Sequence, residues 1–129
     1  MTQEQFVKKL IEEFPEKKTA FILHSQHFDK VLGHVFFAEE INEPLIELLT
    51  KNENYSEIKM YCTFIEKMWL QGDDAVKNIV EVTILERLTD NPILWLRFGH
   101  FISEEFRETI NNEIIPCFQT WLDVPLLSI

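Results

Sequence analysis

Glycine is nearly missing from this chain, with 3 in 129 residues, and proline is held to 5. A turn-rich all-β sandwich or barrel needs more of both, so that architecture is excluded. Three glycines also cannot build a phosphate-cradling loop, and no GxSxG, GxGxxG or P-loop pattern occurs. Cys62 and Cys117 stand alone, without a CxxC pair or a Cys/His ligand spacing. Each lies among apolar neighbours and reads as a small buried side chain, and a reducing cytoplasm disfavours a disulfide between them. No apolar run nears the roughly 20 residues that cross a bilayer. The start, Met1-Thr2-Gln3-Glu4-Gln5, lacks the basic and apolar parts of a secretion signal, so a cytoplasmic protein is expected.

Positive charge is scarce as well. Twelve Lys and Arg face 22 Asp and Glu, a formal net of −10. Phosphate backbones and anionic lipid surfaces repel such a chain, so neither nucleic acid nor membrane is expected as a partner. A protein with a basic surface fits the sign, although negative charge also simply keeps small domains dispersed.

What is present is helical patterning on an ordinary apolar fraction of 46%, with 11 Phe. Thr2 and Gln5 form a capping box ahead of Phe6, Val7, Leu10, Ile11 and Phe14, and Pro15 stops that helix. A second stretch, about 18 to 31, carries Phe21, Leu23, Phe28 and Val31 less regularly, and Gly33 interrupts it. Asn42-Glu43-Pro44 reads as a cap with proline in the first turn, opening a helix that buries Leu45, Leu48 and Leu49. Asn54 and Glu57 resemble a second capping box. Behind them Ile58, Tyr61, Cys62, Ile65, Met68 and Trp69 give the clearest three-four spacing.

Gly72 ends that helix and Asp73-Asp74 starts the next, with Asp73 set to pair with Lys77 at i,i+4. The β-branched run Ile79 to Leu85 is read as helix because Val76, Val80, Ile84 and Leu88 hold helical spacing beyond a usual strand length. Asp90-Asn91-Pro92 and Ser103-Glu104-Glu105 open two further helices, with Gly99 breaking the first and Pro116 bending or ending the second. The apolar tail from Phe118 to Leu127 is expected to pack back. The expectation is an all-α single domain, 1–129, of about six or seven helices, either an irregular bundle or a short HEAT-like stack of antiparallel pairs.

Chemistry-bearing candidates are few. His24 and His27 would share a helix face, with His34 following, and Glu39 or Glu40 could join them only if the chain doubles back. No HExxH or paired ExxH completes a metal site, so no metal or cofactor is expected. Glu66, Glu81 and Glu86 lie on the two most apolar helices, where each faces solvent or meets Arg87 or Arg97; no catalytic residue is assigned. The acidic surface is the remaining signal. Glu39, Glu43 and Glu47 fall on one helical stripe, and like charges at this spacing cost roughly 0.2 to 0.5 kcal/mol per pair. With Glu40, Asp73 and Asp74 they form the candidate partner-binding set. Glu104, Glu105, Glu108 and Glu113, interrupted only by Arg107, make another acidic group. Phe36, Phe37, Trp69, Trp95 and Trp121 are mostly core, and any that are exposed beside carboxylates would anchor an interface.

The run Leu32-Gly33-His34-Val35-Phe36-Phe37, followed by Ile41-Asn42-Glu43-Pro44-Leu45-Ile46, and the block from Val80 to Leu88 resemble a family of small bacterial helical proteins of unassigned function. In its short, acidic, helical style the chain is also similar to immunity proteins of bacterial toxin systems, which bind a cognate toxin and block it. That similarity implies a non-enzymatic protein-binding module. Two alternatives stand beside it: a small metal- or carboxylate-dependent enzyme using His24, His27 and a glutamate, and a homo-oligomer whose tail, Leu122 to Ile129, packs across a two-fold axis.

Overall fold

The computed structural model describes residues 1–27, 32–118 and 124–127. Seven continuous helices run through the described residues, in an all-α domain. They are α1 (Gln3–Glu13), α2 (15–27), α3 (33–51), α4 (Tyr55–Gln71), α5 (74–88), α6 (Pro92–Gly99) and α7 (104–117). The sequence signals account for most of the starts. Thr2 and Gln5 make the reciprocal capping box, and Asp73, Asn91 and Ser103 each accept a backbone N–H from the first turn of α5, α6 and α7.

Two other caps take different forms. Asn54 sits in the left-handed region at φ 58° and makes no side-chain cap bond. Asn42 does not open a helix either. It lies inside α3, which begins at Gly33 and runs unbroken to Lys51. Gly33 starts this helix because the site is crowded: a Cβ there would collide with the side chains of Gln3 and Ile79. Pro44 is tolerated in mid-helix because the backbone just ahead of it, Ala38–Asn42, widens into a π-helical turn, which re-forms the ladder around the missing N–H. The β-branched segment Ile79–Leu85 is helical as expected, and it too is π-helical, as is Ile110–Ile114 in α7.

The π turns of α3 and α5 meet. Asn42 is buried there and donates from Nδ2 to Thr83 O at 3.2 Å and Ile84 O at 3.1 Å. Its Oδ1 has no hydrogen-bond partner among the described residues. A second link joins the same helices, between His34 Nδ1 and Thr83 Oγ1. With these bonds made, Phe37, Ile41, Leu45 and Leu49 face inward, and α3 packs against α4, α5 and α6.

One core collects buried residues from six of the helices, among them Phe6, Leu10, Phe64, Ile65, Val80, Ile84, Trp95, Phe98 and Ile110. Phe14 stacks on Tyr61 with centroids 4.5 Å apart, and Phe6 meets Phe64 edge-on, tying α1 to α4. Helix α2 adds only the half-buried Phe21 to this apolar core. The tail packs back where it is described. Leu127 is buried against Gly99, its backbone is held at both N–H and C=O by Asn111, and Trp95 Nε1 donates to Pro125 O at 2.8 Å. Phe28, Val31, Trp121 and Leu122 lie outside the described residues.

Several side chains take partners other than those the sequence implied. Lys77 lies over the Trp69 ring, 5.6 Å from its centroid, instead of pairing with Asp73. Glu66 accepts from the Ser103 N–H and hydroxyl, not from an arginine. Arg97 and Arg107 instead cap carbonyls: Arg97 donates to Leu49 O at 2.8 Å, and Arg107 to Gly99 O and Ile102 O. Burial, with the charge of Glu86 beside it, holds the Glu81 carboxyl above its ordinary range. Cys62 is buried as expected, and burial pushes its thiol up to about 12. Cys117 is exposed, not buried as expected, at the end of the short 3-10 turn Ile115–Cys117 that closes α7 and buries none of its residues.

Replacing Asn42 by Ala would leave two buried carbonyls without this donor. Urea unfolding of Asn42→Ala is expected to show a loss of about 2 to 3 kcal/mol. Asn42→Asp should lose more, since a carboxylate would face two carbonyl oxygens. A loss under about 0.5 kcal/mol for both variants would remove this contact from the account.

Candidate functional site

The chain doubles back between α2 and α3. Ala20, Leu23, His24 and His27 from α2 face Glu39 and Glu40 from α3 across a hollow of about 570 Å³. The four titratable groups that the sequence offered as a conditional cluster therefore share one site. No group of three His, Cys, Asp or Glu side chains among the described residues comes together as a metal ion would need.

The two walls are built differently. On the α3 side, Glu39 and Glu40 are neighbours in sequence inside the π turn, where successive residues diverge less around the axis than in an α-helix. Glu40 is half-buried and pairs with Lys17 at 3.6 Å. Lys17 is itself buried, 8% exposed, under the start of α2. Its Nζ lies 5.6 Å from the Phe14 centroid and 5.2 Å from that of Tyr61, so two aromatic faces and one carboxylate replace its water. Burial, and then the carboxylates of Glu57, Glu16 and Glu40, push the Tyr61 phenol well above its ordinary value, which keeps the ring neutral beneath the lysine.

On the α2 side, His24 is buried, while His27 is exposed. His24 Nε2 accepts the Leu32 N–H at 3.0 Å, which places the proton of the neutral ring on Nδ1. The ring also meets Phe36 edge-on at 5.3 Å. His34 lies apart from this hollow, on Thr83.

Beyond the hollow the carboxylates of α3 continue outward. Glu39, Glu43 and Glu47 are all exposed, opposite the buried Ile41, Leu45 and Leu49. Glu47 bonds Lys51 at 2.9 Å, a solvated i,i+4 pair that holds the lysine proton above its ordinary range. No ion pair among the described residues reaches Glu39 or Glu43. Of the other acidic candidates, Asp73 serves as the N-cap of α5, accepting the Val76 N–H at 3.0 Å, and Asp74 sits exposed in that first turn. Glu105, Glu108 and Glu113 border a separate hollow of about 310 Å³ on α7.

Exposed apolar side chains are spread over the described residues, with Tyr55, Met60 and Leu70 on α4 and Ile93 and Leu96 on α6 among them. Phe36, Phe37 and Trp95 are core, so they cannot anchor a partner beside the carboxylates. Beside the carboxylates, Leu23 is 52% exposed and lines the hollow, and the exposed Val35 lies one turn before Glu39 on α3; Ile22, next to Leu23 on α2, is 46% exposed. The irregular apolar spacing of α2 was the sequence signal for this, since a helix without a clean stripe leaves part of its apolar side chains in water. Lys17 gave no such signal: one of two adjacent lysines near a helix start reads as solvated.

The family model described as Domain of unknown function (DUF7674) matches residues 7–116, which takes in the hollow and all of α3. Searches of curated proteins and of solved structures found no match.

Because Lys17 and Glu40 desolvate each other, removing both should cost less than the sum of the two single losses. Lys17→Met is expected to destabilise by about 2 kcal/mol and Glu40→Gln by about 1. The double variant should fall short of their sum by about 1 to 2 kcal/mol in a double-mutant cycle on unfolding midpoints. Additive losses would mean that the pair is solvated and does not join α2 to α3.

Proposed function

The chain belongs to the DUF7674 family, a membership that assigns no activity, and from that premise we propose that it is a non-enzymatic protein-binding module whose docking face is the outer side of α3. The observation that carries this reading is the row Glu39, Glu43 and Glu47, exposed on a helix whose opposite side is locked into the core. Two of the three have no cation to answer them among the described residues. Like charges on one stripe cost stability, and this helix keeps them where no cap or core contact uses them. Leu23 and Val35 supply apolar surface near the start of that row. Apolar contact with a charged rim is the ordinary anatomy of a protein interface.

The partner this face suits is a protein with a basic surface, drawn in by long-range attraction and held by the aliphatic patch. Its concrete form is an immunity-type role: a bacterial cytoplasmic protein that binds a basic toxin and covers a surface the toxin needs. A toxin gene beside the gene for this chain would name the partner to test. With that purified product, the triple reversal Glu39→Lys, Glu43→Lys and Glu47→Lys is expected to weaken binding by about a hundredfold at low salt, two decades being the scale of a few lost charge contacts. The fold should be retained, since all three side chains are exposed. Unchanged affinity in a folded triple variant would rule out this face.

A further inference from the structure

The hollow between α2 and α3 has a shape and a charge that the outer row alone does not explain. Its α3 wall carries Glu39 and Glu40, and its α2 wall carries Ala20, Leu23, His24 and His27. Two carboxylates bring two negative charges, and the Lys17 ammonium on Glu40 returns one. Among the described lining residues, one negative charge is left facing the hollow. His24 adds no positive charge while its Nε2 accepts the Leu32 N–H, because a ring doubly protonated could not accept that bond.

We propose that this hollow seats one arginine side chain of the basic partner, with its guanidinium on Glu39 and Glu40 and its methylene stem along Ala20 and Leu23. The inference rests on the outer side of α3 being a docking face, and it names the anchor of that face. A volume of about 570 Å³ admits a long side chain. An anionic group would meet the carboxylates, and a wholly apolar one would leave Glu39 facing it without compensation. Arginine suits the site better than lysine because a guanidinium is planar, more weakly hydrated and able to fork across two carboxylates. The exposed imidazole of His27 on the other wall offers it a surface to lie against.

The test uses the full chain and needs no identified partner. Its Ala20 and Leu23 methyl signals and its His24 and His27 ring signals are followed by NMR while N-acetyl-arginine amide is added. The neutral isostere N-acetyl-citrulline amide and N-acetyl-lysine amide are run in parallel. The expected result is a saturable shift of these four residues with arginine amide. Binding should be at least about fivefold weaker with citrulline amide, with lysine amide and in Glu39→Gln, the size of one weak charge-assisted contact. Equal binding of citrulline amide, tighter binding of lysine amide, or no shift at these residues would overturn the arginine seat.

The two readings fail separately. If Glu43→Lys with Glu47→Lys abolishes partner binding while arginine amide leaves the hollow untouched, the seat is wrong and the docking face stands. If arginine amide fills the hollow but no charge reversal on α3 moves partner binding, the cation seat stands and its assignment to the partner is wrong.

Discussion

The buried carboxamide of Asn42 fixes how α3 is rotated, and most of the molecule's outward chemistry follows from that. Its two N–H groups are spent on adjacent carbonyls of α5, in a place that water does not reach. A helix held this way cannot roll without leaving polar groups unpaired, a cost comparable to a large part of a small domain's stability. Ile41, Leu45 and Leu49 therefore stay inside, and Glu39, Glu43 and Glu47 stay in water. The π turn that carries Asn42 also carries Glu39 and Glu40. One local widening of the backbone thus serves the core on one side and the hollow on the other.

Helix α2 is held by different means. It has little apolar area in the core, so its place against α3 depends on polar links: Lys17 with Glu40, and His24 with the Leu32 N–H. Such links set position more than they add net stability, because desolvating two charges offsets much of their attraction. The result is a helix that leaves Ile22 and Leu23 largely in solvent beside a hollow with carboxylates on its far wall.

Much of the fold was legible because its signals are local. The Thr2 box, the Asp73 and Ser103 caps, and the spacing of Ile58, Ile65 and Met68 act within a turn or two of themselves. The helical state of Ile79–Leu85 was also readable, from the length of its period. What misled was residue type without context. Asn42-Glu43-Pro44 has the composition of a helix start, yet tertiary contact with α5 turned the asparagine into a buried donor and a π turn absorbed the proline. At the site, the exposed row on α3 followed from spacing, and the meeting of His24 and His27 with Glu39 and Glu40 was foreseen only as a condition. Lys17 was not, since nothing local distinguishes a lysine that folds under two aromatic rings from one that points to water.

The claim that α3 presents a steering and docking surface is tested most directly by association kinetics. The rate at which the chain binds its basic partner should be measured as salt is raised, for the natural sequence and for a form with Gln at positions 39, 43 and 47. The account predicts an association rate that falls steeply with salt, a much flatter dependence in the Gln form, and similar rates for both at high salt. Equal salt dependence in the two forms would contradict it.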